Sequence, residues 1–141
     1  MSRSALRVVG GFALAPLLPV AIWSLSPSGF NLIAFAQSLP GAYALALGVG
    51  VPLWLLLRRL DRLTPLPVVL GAGALIALAG TLHQAWVLRR ALYVRQRQRD
   101  LVLDGQLTAD GMIALLGHSA TLAWLAAIGA LAWWLIARAS R

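Results

Sequence analysis

Residues Thr81–Asp100 read TLHQAWVLRRALYVRQRQRD. An apolar run enters this stretch and stops at Arg89. Arg89, Arg90, Arg95, Arg97 and Arg99 then follow within eleven residues. An arginine at the centre of a bilayer costs at least about 2.5–3.5 kcal/mol, so five in so short a segment mark a boundary between hydrocarbon and water. Beyond Arg90, Ala, Leu, Arg and Gln are good helix formers, and neither glycine nor proline interrupts them before Gly105. The segment Arg89–Leu103 is therefore predicted to be helical, continuing its apolar run past the lipid until Asp104-Gly105 breaks it.

Outward from this point the chain resolves into apolar runs of about twenty residues, the length a membrane helix needs. They cover residues 8–25, 40–57, 68–88 and 111–137. The 141 residues are 60% hydrophobic and 11% charged, against about 25% charged in a soluble domain. The expected fold is an all-α membrane protein: a four-span transmembrane helical bundle with a helical extension after the third span. No linker or internal repeat divides it, so residues 1–141 read as a single transmembrane domain. The basic Met1–Arg7 followed by an apolar run resembles a leader, but no A-x-A site lies near residues 22–30, and the expectation is an uncleaved span.

Within the runs, Pro16 and Pro19 predict a kink in the first. Ser26–Gln37 opens with turn chemistry, and Phe30, Ile33 and Phe35 suggest a segment lying in the interface. Small residues four apart, Ala44 with Gly48 and Ala46 with Gly50, allow close approach of helices. Gly73, Ala77 and Thr81 form such a face on the third run, and Ser119, Ala123, Ala127 and Ala130 on the fourth. Trp23, Trp54, Trp86, Trp133 and Trp134 fall near run ends, where amphipathic rings anchor.

The net charge is +8, from twelve arginines against Asp61, Asp100, Asp104 and Asp110. With both termini inside, Arg3, Arg7, Arg58, Arg59, Arg62, Arg138 and Arg141 are cytoplasmic and the five of Arg89–Arg99 are outside. The positive-inside rule prefers this arrangement by seven to five, and it leaves a basic segment on the outer face. The localisation expected is a bacterial inner (plasma) membrane, multi-pass, with cytoplasmic termini.

The chain has no cysteine, which excludes thiol redox chemistry and thiolate metal sites. It has no glycine-rich phosphate loop followed by lysine, no HExxH and no carboxylate inside an apolar run. The expectation is a protein that is not an enzyme and needs no cofactor or metal. His83 and His118 lie at similar depth, roughly 9 and 12 Å inside one membrane face at 1.5 Å per residue. With Gln84 and Thr121 they form a candidate polar intramembrane cluster. Ordinary helix packing accounts for it; a shared b-type haem with two axial histidines is the alternative.

Arg89, Arg90, Arg95, Arg97 and Arg99 are candidates for docking anionic lipid headgroups or an acidic partner. Nucleic acid is not expected, because Tyr93 alone makes no stacking platform. The expected function is interaction: an accessory subunit or immunity-type membrane protein, partnered by the lipid bilayer and by another membrane protein or a second copy. An oligomeric small-solute transporter or channel, using the polar cluster, is the first alternative, and a haem-binding electron carrier is the second.

Overall fold

A computed structural model describes residues 3–27, 29–96 and 99–138, with side chains from Ala5 onward. Four helical stretches are long and apolar enough to cross a membrane: Ala5–Trp23, Leu32–Arg59, Pro65–Arg89 and Ala109–Arg138.

The first long stretch is bent. Helix α1 (Arg3–Leu14) and helix α2 (Leu17–Trp23) flank a turn at Ala15-Pro16, where the proline ring removes a donor. Ser24 ends it, buried, with its hydroxyl donating to the Val20 carbonyl at 2.8 Å. A hairpin of two short strands, β1 (Leu25–Ser26) and β2 (Gly29–Phe30), turns the chain.

The second long stretch starts earlier than expected. Asn31 accepts a hydrogen bond from the Ala34 amide at 3.0 Å and caps helix α3 (Leu32–Leu45), an Ncap role for which Asn is among the best residues. The helix runs through Pro40 instead of starting there. A π-helical turn at Ala46–Gly50 follows, then helix α4 (Val51–Arg59), with Pro52 in its first turn. Residues 32–37, expected to lie in the interface, are thus part of the helix.

Helices α5 (Pro65–Arg89) and α6 (Ala109–Arg138) form the tightest pair. Gly73 is buried, and a Cβ there would lie 3.3 Å from the Ala123 carbonyl oxygen. The Thr81 and Ser119 hydroxyls meet across the same interface. The small faces expected at Gly73–Thr81 and Ser119–Ala123 are therefore used. Of the small pairs in the second stretch, Gly50 faces inward against Phe12, whereas Ala44 and Gly48 are exposed and a Cβ at Gly48 would meet nothing within 4 Å.

The predicted helical extension is corrected. Helix α5 stops at Arg89, and the chain folds into a three-stranded antiparallel sheet: β3 (Val94–Gln96), β4 (Arg99–Leu103) and β5 (Gln106–Leu107). Two forces outweigh the helix propensity of Arg and Gln. Asp104 and Gly105 both have positive φ, 49° and 74°, the two-residue turn whose twist suits a hairpin. Leu101 and Val102 are also buried in the sheet, which packs on the start of α6. Gly111 makes the contact possible: a Cβ there would run into the Leu101 carbonyl oxygen. Thr108 joins the two elements, donating to the Asp100 carbonyl at 2.5 Å and accepting from the Gly111 amide at 3.0 Å.

Candidate functional site

Two places concentrate the polar residues singled out from the sequence. The first is a cavity of about 330 Å³ bounded by all four long helical stretches. It exists because α3 packs against α2 and stands away from α5 and α6, and because small residues face it: Gly41, Ala42, Ala72, Ala126 and Gly129. A buried cluster of Ala15, Leu57, Val68 and Trp133 closes one end. There Phe12 packs on Trp133 and Trp54, with ring centroids 5.3 and 6.4 Å apart. The Trp133 indole nitrogen is buried with no hydrogen-bond partner among the described residues. Toward the other end the lining includes Ser38, His118 and Thr121.

The expected polar cluster divides between faces. His118 and Thr121 line the cavity; His83 and Gln84 do not. Thr81 faces α6, and His83 follows it by two residues, roughly 200° around the helix. His83 is exposed, stacked beside Trp86 with centroids 6.3 Å apart, while Gln84 is half-buried. Similar depth does not place His83 on the cavity that His118 lines. Thr121 donates to the Gly117 carbonyl at 2.9 Å. Neither the His118 imidazole nor the Ser38 hydroxyl has a hydrogen-bond partner among the described residues. Ser38 was missed in the sequence because it lay before the expected start of its helix.

The second place is the β3–β5 sheet and the adjoining end of α5. Arg95 Nε lies 3.6 Å from Asp100 and an Arg99 guanidinium nitrogen 3.7 Å from Asp110. Both pairs are exposed and contribute about 0–1 kcal/mol; their effect is to offset local positive charge. Arg90 lies over the Trp86 ring, 3.7 Å from its centroid, and Arg89 is exposed. Arg97 lies outside the described residues. The same Arg-on-Trp arrangement recurs at Trp54–Arg58 and Trp134–Arg138, at 5.6 and 4.8 Å. All three pairs are four residues apart, two within helices and the third reaching from α5 to its C-cap residue Arg90, a W-x-x-x-R spacing visible in the sequence but not picked out from it.

The Tyr93 hydroxyl donates to Asp100 at 2.8 Å. That hydrogen bond and, behind it, desolvation and the Asp100 charge raise the phenol above its ordinary pKa. A raised folded-state value stabilises the sheet below the unfolded pKa of about 10, and this is lost as pH rises through the folded value. The absorbance titration of Tyr93, followed in a Tyr43→Phe background, is expected to come later than that of free tyrosine. In Asp100→Asn it should move down. Titration at the free value in both proteins would show that the contact does not form in solution.

Comparison with protein families, with curated proteins and with solved structures gives no match.

Proposed function

We propose that the four long helices cross a bacterial inner membrane with both termini cytoplasmic, and that the protein is non-enzymatic and acts by docking another membrane protein. An accessory subunit or an immunity-type blocker are the roles that fit. The second helix is the observation that supports this. Its most apolar eighteen-residue window has no buried residue, in a helix of 28 residues. Its outward small residues, Ala44 and Gly48, leave room for another helix backbone to approach, the geometry that membrane helices use when they pair. The partner expected is therefore a transmembrane helix of a different protein. Arg89, Arg90, Arg95, Arg97 and Arg99 would sit at the outer surface beside anionic headgroups. The pairing of Arg95 and Arg99 with aspartates tempers the charge that this topology leaves outside.

Oligomeric small-solute transport is the second reading, favoured by the cavity. The cluster around Trp133 closes that cavity at one end, so a continuous path would need a neighbouring copy.

The chain has no native cysteine, so single cysteines report cleanly. In membranes, Ala44→Cys is expected to cross-link to a protein of different mass, and to lose the product when Gly48→Leu blocks the approach. A product of twice the chain's own mass would instead support the oligomer. No protein product from either Ala44→Cys or Gly48→Cys would leave the face to lipid and sink the docking reading. Ser2→Cys and Ser140→Cys should be labelled only from the cytoplasmic side.

A further inference from the structure

The cavity follows the fourth long helix for several turns. Its lining on α6 extends from His118 to Trp133, fifteen residues and therefore roughly 22 Å. A space of that length accommodates an extended alkyl chain. No charged residue lines it, so the inserted part of any ligand is uncharged. Its closed end is aromatic and aliphatic, formed by Phe12, Trp54, Leu57 and Trp133, and the indole nitrogen edge of Trp133 lies against Gly11, which does not line the space. Toward its other end lie Ser38 and His118, two polar groups with no hydrogen-bond partner among the described residues, and Thr121, whose oxygen can still accept. Both groups are half-buried, and hydrocarbon beside them would supply no partner.

We propose that this cavity binds a single-chain, uncharged amphiphile, with its alkyl chain against Trp54, Leu57 and Trp133 and its hydroxyl or carbonyl oxygen at Ser38, His118 and Thr121. Ser38 and an imidazole N–H donate to that oxygen. A hydroxyl head can also donate in return to the Thr121 oxygen. Space around Gly41 and the stand-off of α3 from α5 and α6 give the chain its way in from the side. The site faces inward, behind the second helix, and does not depend on what covers that helix's outer face.

The test uses full-length protein in lipid nanodiscs, with thermal unfolding followed as 1-dodecanol or dodecane is added at equal membrane mole fraction. Dodecanol is expected to half-saturate the rise in midpoint at about 5-fold lower concentration than dodecane, the ratio one net hydrogen bond supplies. In His118→Phe the preference for dodecanol should shrink, with the response to dodecane retained. Should that variant fail to fold, Ser38→Ala serves the same purpose with a smaller change in bulk. Gly41→Leu places a side chain where a Cβ meets nothing within 4 Å, and Ala126→Leu fills the opposite wall. Both should fold and lose the response to both probes. Equal response to dodecanol and dodecane in the unaltered protein would overturn the proposal. So would an undiminished response in both filled variants, which would trace the shift to the bilayer. Neither result bears on the cross-linking of Ala44→Cys.

Discussion

Gly111→Ala is expected to destabilise the protein by about 1–3 kcal/mol, although alanine is the better helix former by about 0.8–1.0 kcal/mol. The added methyl would run into the Leu101 carbonyl oxygen and sit 3.1 Å from its carbon. Both are backbone atoms, so no rotamer change relieves the contact, and either α6 or β4 must move. Moving β4 exposes Val102, the most deeply buried large side chain described, and pulls Thr108 from the Asp100 carbonyl. The measurement is chemical or thermal unfolding in detergent. A fall in stability confirms the close packing of sheet on helix. A rise, which propensity alone predicts, would mean that the sheet stands off α6 in solution.

Gly73→Leu should cost a similar amount, about 1–3 kcal/mol by overpacking, where α5 packs on the middle of α6. The atom facing Gly73 is again backbone, the Ala123 carbonyl oxygen. Gly80 is an instructive contrast: its near neighbour is a Leu122 methyl, the end of a side chain that can turn away. Gly80→Ala should therefore be milder than Gly73→Leu. An unchanged midpoint for Gly73→Leu would place that face of α5 against lipid or detergent.

The long helices and the face between α5 and α6 were legible because hydropathy and small-residue spacing report directly on burial and close approach. The sheet was not read, although its signal was present. Asp104-Gly105 stands between Leu101-Val102-Leu103 and Gln106-Leu107, and an apolar strand ending in Asp-Gly is a strong hairpin cue. It lost to helix propensities that differ by only a few tenths of a kcal/mol per residue, less than the burial of Leu101 and Val102 against α6 supplies. The histidines show a different gap. Counting residues from a membrane edge fixes depth but not rotation, and His83 and His118 agree in the first coordinate and differ in the second. The start of the second helix was missed because Pro40-Gly41 looked like a beginning, while the cap at Asn31 lay nine residues upstream.

The π turn at Ala46–Gly50 has a consequence for angular phase. Ser38, Gly41, Ala42 and Leu45 line the cavity from α3, and Gly50, Leu53, Trp54 and Leu57 line it further along the same stretch. In an uninterrupted α-helix each residue advances about 100°, so Gly50 would lie roughly 140° from Leu45 and Leu57 roughly 120°, while Leu53 would be displaced by roughly 80°. The wider turn absorbs one residue and brings the two stripes back into line. The second helix is thus two wheels of contacts set a residue out of step and re-indexed at one joint. Removing a residue from 46–50 lets a plain α-helix satisfy both stripes. Adding a residue elsewhere in the helix sets one half facing the cavity and the other facing away.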